Sequence, residues 1–133
     1  MSAVTATVTV MNDRLAAARE LFDDLAVDHL GRPHVTMGRM FASEGLAVHG
    51  KIFAFVGRDG RLILKLPLAR ADELKGEGAT ESVTLGGRTM REWVGVPLPD
   101  PQPGSWGGLM EEAHTYVAEL AAAVASDEGR ESR

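Results

Sequence analysis

The sequence predicts an α+β domain of two layers, an antiparallel sheet with its helices on one face, in the order α-β(4)-α-β(2)-α. Three observations lead there. The stretch Gly45–Leu66, GLAVHGKIFAFVGRDGRLILKL, reads as three short strands joined by tight turns at His49-Gly50 and Asp59-Gly60. A second hairpin surrounds Gly86-Gly87, a pair suited to a type I′ turn. Apolar residues recur at helical spacing near both ends of the chain. Strands joined by such short turns can pair only antiparallel, and three helices suffice to cover one face.

The elements follow in order. Residues 1–11 read as a flexible arm, because their Thr-Val alternation fixes neither helix nor paired strand. Asn12 or Asp13 is placed to cap a first helix running to about Leu30, with Leu15, Ala18, Phe22 and Leu25 as its buried stripe. Gly31-Arg32-Pro33 ends it. Strands are expected at about 35–41, 45–49, 51–57 and 61–66, and a short helix at 68–76 begins after Pro67. Two further strands, 81–85 and 88–96, precede an extended crossover carrying Pro97, Pro99, Pro101 and Pro103. Ser105 is placed to cap a last helix over 106–125, buried through Leu109, Ala113, Tyr116, Val117, Leu120 and Val124. One domain spans 12–126, and 127–133, DEGRESR, reads as a disordered, solvated tail.

The turns assign side chains to faces, since residues opposite one another in a hairpin point the same way. A loop of two or four residues at Asp59-Gly60 groups Phe53 and Phe55 with Leu62 and Leu64, facing the helices. The open face then holds Ala47, Ile52, Ala54, Val56 and Ile63 beside Arg61 and Lys65. The Gly86-Gly87 turn groups Val83, Leu85, Met90, Val94 and Val96 on one side and places Arg91 and Trp93 on the other. Ile52, Arg61, Ile63, Lys65, Arg91 and Trp93 therefore form the candidate interaction surface, small-aliphatic with one large aromatic and several cations. Such a patch needs a cover or a partner.

Composition narrows the function classes. There is no cysteine, which removes disulfides and thiolate chemistry. The first residues lack the charged start and apolar core of a signal peptide, and no apolar run reaches membrane length, so a cytoplasmic protein with no membrane partner is expected. Net charge is −5, unevenly spread. From Arg32 to Glu92 ten Lys and Arg stand against seven acids, and elsewhere four stand against twelve. The predicted sheet is mildly basic, but the acidic whole disfavours strong non-specific binding to phosphates.

The sequence nominates no catalytic residue, cofactor or metal ligand. No G-x-S-x-G, Walker A or G-x-G-x-x-G motif occurs. Of the four histidines, at 29, 34, 49 and 114, none forms an H-E-x-x-H or H-x-H pair. Glu111-x-x-His114 matches half of a carboxylate-bridged di-iron pattern, but the sequence supplies no second copy. Gly104-Ser105-Trp106-Gly107-Gly108 at a helix start has anion-binding character, though capping and close packing account for it, with Trp106 as a hydrophobic anchor.

Gly38-Arg39-Met40-Phe41, Gly45-Leu46-Ala47-Val48, Gly50-Lys51-Ile52-Phe53-Ala54-Phe55 and Gly60-Arg61-Leu62-Ile63-Leu64-Lys65, followed by a short helix and the Gly87-Arg88-x-Met90 hairpin, resemble the TfoX/Sxy N-terminal domain over about residues 35–125. The common pattern differs at Ala42-Ser43 and at Arg91-Glu92-Trp93. The resemblance implies a secretion-chaperone-like two-layer fold and a stand-alone member without the helical C-terminal domain of the full-length competence regulators. It brings no catalytic residues. The expected function is a non-enzymatic regulatory or interaction module acting through protein contacts, as a homodimer. The alternatives are a nucleic-acid-associated regulator using Arg61, Lys65, Arg91 and Trp93, and a small-molecule enzyme using His34 or His49 in a cleft.

Overall fold

A computed structural model of the chain describes residues 3–40, 43–57, 59–78, 80–85, 87–97 and 104–131, with side chains described for 13–38, 44–57, 59–78, 80–84, 87–97 and 106–123. The elements run α1 (Ala3–Leu30), β1 (Val35–Met40), β2 (Ser43–Val48), β3 (Lys51–Val56), β4 (Leu62–Lys65), α2 (Leu68–Gly76), β5 (Glu81–Leu85), β6 (Arg88–Val96) and α3 (Gly104–Glu131). This is the expected α-β(4)-α-β(2)-α order. The six strands form one antiparallel sheet in the order β1-β2-β3-β4-β6-β5.

The helices outrun their expected bounds. α1 begins at Ala3 rather than near Asp13, and α3 reaches Glu131 through the segment read as a solvated tail. Extending a helix already nucleated adds one hydrogen bond per residue fixed, so weak formers are carried along. The expected cap at Ser105 and the prolines at 99, 101 and 103 lie outside the described side chains.

All three helices contribute to one core. α1 presents Ala18, Phe22 and Ala26, α2 presents Ala71 and Leu74, and α3 presents Trp106, Met110, Ala113 and Val117. They meet Leu46, Val48, Phe53, Leu62, Leu64 and Val94 from the sheet. Burying each of the larger side chains is worth about 1.5–3 kcal/mol. Trp106 is fully buried and its indole N–H donates to the Pro97 carbonyl at 3.0 Å, anchoring α3 to the end of β6.

The face assignment changes at three places, each through an odd number of residues. The His49-Gly50 turn is the expected two-residue loop, with positive φ at both positions. The next loop has three residues. Gly57 donates to the Arg61 carbonyl at 2.8 Å across residues 58–60, and Gly60 takes a φ of 84°. Phe55 therefore pairs with Ile63 on the face away from the helices, whereas Ala54 and Val56 pair with Leu64 and Leu62 on the helix face. Between the turns one residue of β3 is extra. Leu46 pairs with Ala54 but Ala47 pairs with Ile52, so Phe53 bulges and joins Ala54 on the helix side. Val83 and Met90 likewise belong to the second face, because Arg91, Glu92 and Trp93 find no partner on β5 and reverse the alternation.

The second face has its own small core: Phe55, Ile63, Val83 and Trp93, flanked by Ile52 and Met90. Phe55 and Trp93 meet edge-on at 6.0 Å. Glycines let side chains from neighbouring strands lie against the backbone. A Cβ on Gly45 would stand 3.0 Å from both the Ala54 carbonyl oxygen and the Phe55 Cβ, and Gly95 accepts the guanidinium of Arg61. Gly45→Ala is expected to lower the unfolding free energy by about 1–3 kcal/mol through overpacking. Gly76→Ala, at a helical position with nothing within 4 Å, is expected to be neutral or stabilising by up to about 1 kcal/mol. Urea unfolding of the two variants separates these outcomes.

Candidate functional site

The six residues of the candidate surface divide. Ile63 is buried in the second core, and Trp93 is 8% exposed. Arg61 is engaged by two carboxylates, with Nε 2.6 Å from Asp59 Oδ2 and Nη1 3.1 Å from Glu81 Oε1. Its charge is thus answered within the chain. Lys65 lies at the other end of β4, and Arg91 is exposed on β6.

Three of the six, Ile52, Lys65 and Trp93, line one cleft of about 510 Å³. Its origin is the bulge. Pairing of β3 with β4 stops at Ala54 and Leu64, so Lys51 and Ile52 pair only toward β2 and Phe53 pairs with neither strand. On the far side Lys65 still pairs with Trp93 of β6. The strands part there, and α3 closes the opening with Val117, Leu120 and Ala121. The wall is apolar. Lys51 and Lys65 line it, with the Lys65 ammonium 6.0 Å from the Trp93 ring centroid. Among the described residues neither lysine forms an ion pair. Helical spacing on α3 identified Val117 and Leu120 as apolar, but only the parting of β3 and β4 turns them to a cleft.

A second cleft, of about 430 Å³, lies between α2 and α3. Arg70, Glu111, Glu112 and Glu119 line it, and Arg70 bonds Glu73 and Glu112. Tyr116 lines it and donates its hydroxyl proton to Glu92 at 2.6 Å, which with partial burial pushes the phenol up to about 12.

The histidines form two pairs. His34 and His49 are exposed, both with positive φ, and stack at 4.3 Å between ring centroids beside the first turn. Neither cleft is lined by a histidine. His29 and His114 meet inside, Nδ1 to Nδ1 at 2.9 Å, and link α1 to α3 above the Phe53 ring. Such a bond needs one nitrogen protonated and the other bare, so it cannot survive protonation of both rings. Burial, and then the Arg32 guanidinium, lower the affinity of both rings for a proton, while Glu111 pulls the other way. Arg32 itself bridges Asp28 and Glu111, and its bonds to Glu111 hold that carboxyl below its usual range. Glu111 and His114 thus serve the α1–α3 contact. Among the described residues no group of three or more His, Asp or Glu side chains is arranged to hold a metal ion.

Compared with protein-family models, with curated proteins and with solved structures, the chain gives no match. No described helix is long and apolar enough to cross a membrane.

The sheet's two edges differ. β5 faces the interruption in β6, whereas β1 pairs with β2 over six successive residues without irregularity and leaves its other side unpaired. Successive helix residues turn by about 100°. A Cβ on Gly107 would stand 3.6 Å from Leu25 Cδ2, and Arg32 ties Asp28 to Glu111, which fixes the flank of α1 that meets α3. Leu30 falls on the other flank, on the side of β1, where Met37 is also exposed, whereas Val27, 70% exposed, points away from the sheet.

The buried pair makes stability depend on pH. The unfolded rings bind a proton near pH 6.5 and the folded rings bind it less readily. Their contribution is therefore intact above about pH 6.5 and is lost as pH falls through the lowered folded values. The melting temperature is expected to drop between pH 7 and pH 5, and the drop to shrink in the double variant His29→Leu, His114→Leu. An equal drop in both proteins would show that other groups set it.

Proposed function

We propose that this chain is a non-enzymatic interaction module of the TfoX N-terminal type, acting through protein contacts as a homodimer. The observation that carries the reading is the β1 edge: a regular six-residue strand with one side unpaired among the described residues, beside the exposed Leu30 and Met37. An unpaired edge offers backbone donors and acceptors to another strand. A two-fold axis beside β1 brings the same strand of a second copy antiparallel to it, so one surface serves both partners. The apolar flank of α1 would be covered in the same step. The strand order along the chain and the spacing of its turns support the family resemblance.

Sedimentation equilibrium tests the assembly. A particle of twice the 14.2 kDa chain mass is expected at micromolar concentration. Leu30→Asp and Met37→Lys, both at exposed positions, are expected to raise the dimer dissociation constant at least about tenfold, with unchanged far-ultraviolet circular dichroism. A monomer at high micromolar concentration in the unaltered protein would end the dimer reading.

A further inference from the structure

We propose that the cleft between the parted ends of β3 and β4 binds a small amphiphilic anion, an aliphatic or aromatic carboxylate whose apolar body lies along Ile52, Trp93, Val117 and Leu120 while its carboxylate meets Lys51 and Lys65. The volume of about 510 Å³ lies within the roughly 300–1,000 Å³ of small-molecule sites. The chemistry of the lining selects the class. Its walls come from an indole face, an isoleucine and three aliphatic residues of one helix, and they contribute no carboxylate. A neutral apolar ligand would use the walls but leave both ammonium groups unanswered. A cation would meet two like charges. An anion with an apolar body answers both features, and charge-assisted bonds are the stronger kind.

The site differs from a gap in packing because it has a structural cause. The extra residue at Phe53 leaves the first three residues of β3 without a partner on β4, and the Lys65–Trp93 pair of β4 and β6 holds the opposite wall. The lysines come from different walls, Lys51 from the start of β3 and Lys65 from the end of β4. A carboxylate between them would bridge strands that no hydrogen bond joins there. The proposal does not rest on the dimer reading, since none of the lining residues belongs to β1 or α1.

Calorimetric titration of the full chain with decanoate, decanol and decyltrimethylammonium, each below its micelle-forming concentration, tests the class. Decanoate is expected to bind one per chain, at least about tenfold tighter than decanol, with the cation weakest. Lys65→Gln is expected to weaken decanoate about tenfold while leaving decanol unchanged, and Lys51→Gln to act in the same direction. Leu120→Glu, at a partly exposed position, should abolish binding of decanoate. Leu30→Asp should leave all three affinities unchanged, which keeps this test separate from that of the dimer. Equal affinity for decanoate and decanol, or decanoate binding unaffected by Lys65→Gln, would overturn the proposal. So would absence of decanoate binding together with a change of oligomeric mass in Leu120→Glu, which would make the cleft a contact between copies.

Discussion

One extra residue in β3 governs the middle of this molecule. Phe53 faces no partner on β2 or β4. Without it, strict alternation would send either Phe53 or Ala54 away from the helices. With it, both lie on the helix side, and Phe53 takes up the space beneath His29 and His114. The same insertion parts β3 from β4 and lets Ile52 turn to the second face, over Gly38 and Gly45. The buried histidine contact, the second small core and the cleft all depend on it.

Much of the fold was legible because its signals are local. His49-Gly50, Asp59-Gly60 and the Gly at 87 mark turns through the conformations glycine permits, and the stripes Ala18–Phe22 and Leu109–Ala113–Val117 mark buried helix faces. Element order follows from these. The faces were less legible, because facing is a matter of parity. The closure of Gly57 on Arg61 leaves a count of three between them instead of two or four, and nothing in the local sequence excludes the even count. The bulge at Phe53 and the unpaired run Arg91–Trp93 are settled by how strands fit across the sheet. Trp93 lies on the expected face even so, but beside Val83 and Met90 rather than opposite them.

The candidate surface shows the same limit in another form. Residue type alone made Arg61, Lys65, Arg91 and Trp93 look equivalent as parts of one basic, aromatic face. Tertiary contacts separate them. Asp59 and Glu81 take the charge of Arg61, which then lies as a cover over Gly95. Lys65 finds an indole ring instead of a carboxylate. The two lie four positions apart in the chain, and what distinguishes them is that the preceding turn and β5 each bring an acid to Arg61.

The start of β3 is held differently from the rest of the sheet. Lys51 and Ile52 pair only with β2, and Phe53 pairs with neither neighbour. Position there must come from side chains. Phe53 is gripped by the two buried rings at 5.6 and 4.9 Å between centroids, and Ile52 lies against the glycines of β1 and β2. A backbone ladder loses its grip only by breaking, whereas a side-chain grip weakens when its neighbours change charge. Protonating both His29 and His114 puts charge beside the Phe53 ring and removes the acceptor of the bond joining α1 to α3. Because Ile52 is the next residue, and α3 carries both His114 and the Val117–Leu120 wall, the least supported segment of the sheet is also the one shared by the histidine pair and the cleft.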